Sequence, residues 1–292
     1  MPRRVRPIKS IKHLFYPLLA RLLVRLMRGL TVESGLRIGG ALGDLIWLLD
    51  LKGGRVALEN LRSSFPDKPY GEIRRIARLC YRNIGMNIAE FGRFSSLTRS
   101  ELMRMVRFEG MENLDRALSL GKGVLLLTAH FGNWELLGAA LAAHGYEVNA
   151  IVRNLRVKSL DRIVNEIRSN AGFRPFYRER GLKSALLSLK RNQILALLAD
   201  IDTRSEGVFV DFFGRPAYTP VGPVLISMKT GAPIVPAFIV REVKGHRVFI
   251  GEPIRPTGDV RSDVQRLTKM VEGFIRRYPH QWIWMHRRWR KR

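Results

Sequence analysis

The chain has 292 residues, 46% of them hydrophobic, enough to bury one large α/β core or two small ones. Lysine and arginine number 51 against 25 aspartate and glutamate, a formal net charge of +26, so the partners it favours are polyanions: nucleic acid, an anionic membrane surface or an acidic protein. A lone cysteine, Cys80, excludes an intramolecular disulfide and a cysteine-based zinc site and points to a reducing, cytosolic compartment; beside Leu79 in an apolar helical context it reads as a small core residue.

Residues 1 to 28 carry Arg3, Arg4, Arg6, Lys9, Lys12, Arg21, Arg25 and Arg28 on a leucine-rich background without a small-residue cleavage site, which is not a secretory signal. At about 100° per residue, Arg21, Arg25 and Arg28 share a narrow face. Leu19, Leu22, Leu23, Leu26, Met27 and Leu30 fill the opposite one. A second apolar stretch, Leu36 to Leu51, is interrupted by Arg37, Asp44 and Asp50, so neither segment reaches the roughly 20 apolar residues of a clean membrane span. The pattern predicts a helix lying in the membrane interface, leucines in the acyl boundary and arginines against anionic head groups. Two alternatives stay open: a solvated helix packed on the domain by its leucine face, and a tilted transmembrane helix.

Asn60 to Asp67 closes one helical pattern, and Gly71 to Phe94 predicts a long helix with Ile73, Ile76, Ala77, Cys80, Ile84, Ile88 and Phe91 on its apolar stripe. Strand-like segments begin after about residue 100: Met105 to Glu109, Gly123 to Thr128, Glu147 to Val152, Phe173 to Tyr177, Ile194 to Ala199, Val208 to Phe212, Ile234 to Val240 and Arg247 to Ile250. Helical patterns lie between them, at Glu112 to Leu120, Trp134 to His144, Lys158 to Ala171, Leu182 to Arg191, Pro220 to Thr230 and Val260 to Arg277. Thr219-Pro220 reads as the start of one helix and Gly231 as its stop. This alternation predicts an α/β fold with a central, mostly parallel sheet flanked by helices. The economical division is a membrane-associated amphipathic helical segment over residues 1–51 and one α/β domain over residues 52–292.

The chemistry concentrates at Thr128-Ala129-His130-Phe131-Gly132-Asn133-Trp134-Glu135, where a buried apolar strand stops and a helix begins. That is the rim at which open α/β sheets place their ligand crevices. An imidazole there can take a proton from an alcohol attacking a carbonyl, provided a neighbour holds its tautomer and stabilises the imidazolium. Glu135, one turn into the helix, is placed to point back at the His130 ring. Gly132 permits a sharp reversal, and Asn133 is placed to cap the helix. The chain has no Gly-x-Ser-x-Gly elbow, so direct transfer to a hydroxyl fits better than a covalent enzyme intermediate. His13, His144, His246, His280 and His286 show no ligand spacing with His130, and neither metal nor cofactor is expected.

Several blocks together resemble the bacterial lipid A late acyltransferases, within the wider superfamily marked by a His-x4-Asp/Glu motif. They are Asn60 to Pro66, the His130 to Glu135 motif, Gly207 to Gly214, Pro233 to Pro236 and Gln281 to Trp289. The resemblance implies transfer of a fatty acyl chain from acyl carrier protein to a hydroxyl of an anionic lipid A precursor at the cytoplasmic face of the inner membrane. By motif position it makes His130 the general base and Glu135 its partner. Arg153 and Asp200, both at strand ends, match a family arginine and a family acidic residue that support substrate binding or catalysis, as does Asn133. Ala199-Asp200-Ile201-Asp202 and Val152-Arg153-Asn154 lack prolines common in the family, which bears on acceptor identity more than on reaction type. Mycobacterial-type mannoside acyltransferases share the central motif, use acyl-CoA and act on another glycolipid. No nucleic-acid-binding motif is present, so nucleic acid is not expected as a partner despite the charge. Trp282, Trp284 and Trp289, with Arg287, Arg288, Arg290, Lys291 and Arg292, admit two readings: an interfacial anchor, or a segment that closes the fold.

Overall fold

A computed structural model describes residues 7–178, 180–202 and 205–289, with side chains from Phe15 onward. Helices fill the first third: α1 (Pro7–Gly29), α2 (Val32–Leu49), α3 (Leu51–Ser64), α4 (Tyr70–Arg93) and α5 (Arg99–Met105). Alternation then begins with β1 (Val106–Glu109), α6 (Met111–Leu118), β2 (Val124–Thr128), α7 (Trp134–Ala143), β3 (Val148–Val152), α8 (Lys158–Asn170), β4 (Phe173–Tyr177), α9 (Leu182–Lys190) and β5 (Ile194–Leu198). The chain closes through β6 (Gly207–Phe212), β7 (Arg215–Pro220), α10 (Gly222–Thr230), β8 (Ile234–Arg241), β9 (His246–Ile250) and α11 (Val260–Arg277).

Seven strands form one sheet in the order β1-β9-β8-β2-β5-β3-β4, antiparallel only between β8 and β9. The sheet is the mostly parallel one expected. Its central strand β2 is buried along its whole length because both faces are covered. Val124 and Leu126 join the core on the α7 and α8 side, and Leu125 and Leu127 the core containing Val224, Val264 and Leu267. A continuous run of leucine and valine is the composition such a doubly covered strand requires.

Four expectations need correction. Arg215–Pro220, not read as a strand, pairs antiparallel with β6 across a two-residue turn. Phe213 and Gly214 both have positive φ in that turn, the geometry that closes tight hairpins. Proline cannot donate to a ladder, but Pro216 sits opposite Asp211, whose N–H and C=O both bond the Gln265 side chain instead. Consequently Thr219 is a strand residue rather than a helix cap; α10 starts at Gly222 with Pro223 in its first turn and stops at Gly231 as expected.

On α4 the buried face drifts off the apolar stripe. Ile73, Ala77 and Cys80 are core, yet Ile88 is 45% exposed while Asn83, Asn87 and Glu90 are buried. For α1, the helix packs by one edge of the predicted leucine face and the residues beside it: Met27 is fully buried, and Ala20 and Val24 lie against the core. Leu18 and Leu22 on the leucine side are 65% and 62% exposed. Of the two readings held for the tryptophan segment, the one that closes the fold agrees with the structure. Trp282 and Trp284 are fully buried, and the Asn60 amide of α3 donates to the carbonyls of Trp284 and His286 at 2.9 Å. Arg290, Lys291 and Arg292 lie outside the described residues.

Interruptions in the second apolar stretch prove to be helix connectors. Asp44 of α2 accepts from Arg78 at 2.9 Å and Arg82 at 2.5 Å on α4, and the Arg78 guanidinium holds its carboxyl below the usual range. Asp50 caps α3 through the Gly53 N–H at 2.9 Å and accepts from the Tyr81 hydroxyl at 2.8 Å. Among the described residues no helix is long and apolar enough to cross a membrane.

Candidate active site

Parallel pairing of β2 with β5 sets the carboxyl ends of both strands side by side, and this register brings together two residues 70 apart in the chain. His130 leaves β2 just as Asp200 leaves β5. The Asp200 carboxylate takes Nδ1 of His130 at 2.9 Å through Oδ1 and the His130 backbone N–H at 3.0 Å through Oδ2. Trp282 Nε1 donates to the same Oδ2 at 2.8 Å. Asp200 has no exposed side-chain surface, whereas His130 keeps 24% of its own. Burial alone would raise the Asp200 carboxyl. The facing His130 charge, with donors from His130 and Trp282, outweighs burial and holds it below the ordinary carboxylate value. An ionised acceptor on Nδ1 fixes the proton there and leaves Nε2 as the nitrogen with a free lone pair.

The turn after His130 is sharply defined. Gly132 adopts φ +58°, and a Cβ on it would lie 1.8 Å from the Ile239 carbonyl oxygen, so conformation and space both demand glycine. Its N–H donates to the Gln281 carbonyl at 2.9 Å. Asn133 caps α7 as expected, its Oδ1 accepting from the Leu136 N–H at 3.1 Å. The Trp134 ring stands edge-on to His130, with centroids 5.2 Å apart.

Glu135 does not meet His130. From the first turn of α7 it faces α8, where Arg168 grips it in a fork, Nε to Oε2 at 2.9 Å and Nη2 to Oε1 at 2.5 Å. Burial works against the Arg168 charge, but the Glu135 bond raises its pKa above the ordinary value. The carboxylate expected within the motif is thus replaced at the imidazole by one from the next strand. Spacing reports neighbours along the chain, and only strand pairing reveals this one. Arg153 is exposed at the end of β3, the strand beside β5, and forms no hydrogen bond to His130, Glu135 or Asp200. Of the five candidates the structure joins His130 to Asp200, sets Asn133 in the same turn, and leaves Glu135 and Arg153 outside the His130 pair.

A buried polar cluster beneath the turn was hidden in the sequence by the apolar reading of α4. Glu90, 3% exposed, accepts from Asn133 Nδ2 at 2.6 Å, from Arg241 at 2.8 and 2.6 Å, and contacts His246 Nε2 at 2.9 Å. The usable signal was the i, i+4, i+7 spacing of Asn83, Asn87 and Glu90, one polar face on an otherwise amphipathic helix.

A strand-end histidine on a buried aspartate, at the carboxyl edge of a mostly parallel sheet, is an arrangement able to exchange a proton, in the place where α/β folds hold their ligand crevices. The family model for bacterial lipid A biosynthesis acyltransferases matches residues 9–291, and the chain belongs to that family. It is 30% identical over 185 residues to a phosphatidylinositol mannoside acyltransferase of Mycobacterium tuberculosis, 62% of this chain and 58% of that protein. The chain therefore spans less than two thirds of that relative's length. It is 27% identical to the lipid A biosynthesis palmitoleoyltransferase of Escherichia coli, over 81% of this chain and 78% of the other, and 27% identical to the lauroyltransferase of the same organism, over 88% and 85%.

Proposed function

We propose that this protein transfers a fatty acyl chain from a thioester, carried by acyl carrier protein, to a hydroxyl of a phosphorylated glycolipid of the lipid A precursor type. The observation that carries the reading is the His130 to Asp200 pair, which frees one imidazole nitrogen at a site with no nucleophile elbow. The acceptor hydroxyl gives its proton to His130 Nε2 as its oxygen attacks the thioester carbonyl, forming the new C–O bond. Asp200 stabilises the imidazolium so formed. The tetrahedral intermediate collapses with loss of the C–S bond, and the departing thiolate takes the proton from His130. Arg153, exposed at the same sheet edge, offers a cation to a phosphate of donor or acceptor. Glu135 acts in this scheme through Arg168, fixing α7 against α8.

Membrane attachment belongs to the same proposal. Phe15, Leu18, Leu19, Leu22 and Leu26 of α1 and Leu42, Leu45, Ile46, Leu48 and Leu49 of α2 are exposed, and clustered exposed apolar side chains mark surfaces that meet a protein or a membrane. With a net charge of +26, such a face suits the anionic cytoplasmic leaflet of the inner membrane.

A second reading has its own support: the mycobacterial mannoside acyltransferase aligns at 30% identity against 27% for the Escherichia coli proteins, although over a shorter span. It replaces the acceptor with a mannosyl phospholipid and the donor with acyl-CoA. One experiment tests both. Detergent-purified protein is incubated with labelled acyl carrier protein thioester or acyl-CoA, each with a tetra-acylated lipid A precursor or a phosphatidylinositol mannoside. Transfer from acyl carrier protein to the lipid A precursor, lost in His130→Ala and Asp200→Asn, is the expected result. Transfer only to the mannoside moves the assignment to the second reading, and no transfer in any combination overturns both.

A further inference from the structure

The Glu90 cluster does more than fill space under the sheet edge. Arg241 at the end of β8 donates from Nε to Asn83 Oδ1 at 2.9 Å, from Nη2 to Asn87 Oδ1 at 2.6 Å, and from Nη1 and Nη2 to the two oxygens of Glu90. A guanidinium only donates, so the Asn87 amide must turn its oxygen toward Arg241 and its Nδ2 away. That Nδ2 reaches the Gly132 carbonyl at 2.5 Å. An ionised carboxylate only accepts, so Glu90 in turn draws Nδ2 of Asn133 and leaves its Oδ1 to cap α7. One buried ion pair thereby sets the orientation of two amides. Both amides grip the short turn that carries His130, at Gly132 and Asn133. Burial would raise the Glu90 carboxyl, but the charges of His246 and Arg241 hold it well below the usual range, so it is the acceptor this scheme requires.

A buried ion pair is poor evidence of stabilisation, since well-packed apolar residues often serve a fold as well or better. Here the remaining hydrogen-bonding capacity of the pair is directed at the reactive turn. We propose that Glu90 and Arg241 are positioning residues for the reaction: through Asn133 and Asn87 they hold the turn so that the His130 imidazole stays on Asp200 with Nε2 free for substrate. The kinetic arm of the test rests on the acyl-transfer reading; its spectroscopic arm does not.

Serine and aspartate cap helices about as well as asparagine, so Asn133→Ser and Asn133→Asp keep the cap while removing the Glu90 link or setting two carboxylates against each other. With full-length protein in detergent, a labelled acyl carrier protein thioester and the tetra-acylated precursor, kcat should fall about tenfold in Asn133→Ser and about a hundredfold in Asn133→Asp, with KM held within about twofold. Adding Glu90→Gln to Asn133→Asp removes the repulsion between the two carboxylates but gives up one acceptor for Arg241 Nη2, so the double variant should recover a few-fold of the loss without reaching wild type. In protein carrying 15N-histidine, the low-field Nδ1–H proton of His130, assigned by its absence in His130→Ala, should weaken or vanish in Asn133→Ser. Folded single variants with wild-type kcat, a loss confined to KM, or no recovery in the double variant would overturn the proposal. So would an unchanged Nδ1–H signal. If the wild type acylates neither acceptor, the functional reading falls while the proton signal still decides the positioning role; should Asn133→Asp not fold, Asn133→Ser and that signal decide it.

Discussion

At the scale of single residues, the His130 ring and the Asp200 carboxylate are directly hydrogen-bonded and should fail as a unit. Asp200→Asn should lower kcat by about 10³-fold or more, approaching the effect of His130→Ala, and the double variant should be no worse than the more impaired single one. Steady-state assays of the three proteins check this, and additive losses would show that the two act separately. Glu90 supports a prediction about pH. Its folded-state pKa is depressed below the ordinary glutamate value of about 4.3, so its contribution to stability is fully present above that pH and is lost as pH falls toward the folded value. Wild type should therefore be more stable than Glu90→Gln at neutral pH, and the gap between their urea midpoints should narrow steadily below about pH 4.3. A gap that stays constant down to acid unfolding would show that Glu90 does not carry this dependence.

At the scale of elements, the turn between β2 and α7 depends on its glycine and on the helix behind it. Gly132→Ala should cost at least about 1–2 kcal/mol for the left-handed backbone alone, and the clash with the Ile239 carbonyl adds to this. Thermal unfolding and activity should fall together. Glu135→Gln should destabilise by about 1–3 kcal/mol, because the partly buried Arg168 is left without its carboxylate. Arg168→Gln should show matching losses in the same denaturation measurement if the pair acts through α7 and α8. These elements were legible to different degrees for physical reasons. Strands β1 to β6, β8 and β9 stood out as apolar runs that alternate with amphipathic helices, and their ends fall within one or two residues of expectation. β7 did not, because its prolines argue against a ladder, and the backbone of Asp211 opposite Pro216 on β6 is satisfied instead by Gln265 of α11. His130, Asn133 and the turn were readable from local order, while the Asp200 bond and the Glu90 cluster depend on which strands and helices become neighbours. A motif spacing cannot carry that information.

At the scale of the whole molecule, the cationic charge and the exposed leucines of α1 and α2 belong to one prediction. Full-length protein should float with vesicles rich in anionic lipid and far less with neutral ones. Leu22→Glu together with Leu48→Glu should reduce flotation without changing the melting temperature, since both side chains are exposed. Equal binding of neutral and anionic vesicles, or binding unaffected by the two glutamates, would separate charge and leucines from attachment. The manner in which α2 meets α4 carries a practical consequence. Added Cβ atoms on Gly39 and Gly43 would lie 2.5 Å from the Gly85 carbonyl oxygen and 2.3 Å from that of Tyr81, so the two helices lie backbone against backbone. The helix that offers half of the exposed leucines is therefore also a wall of the folded body. A fragment trimmed after residue 51 in search of a water-soluble enzyme would trade one sticky surface for another, and solubility must be sought by replacing outward-facing leucines one at a time.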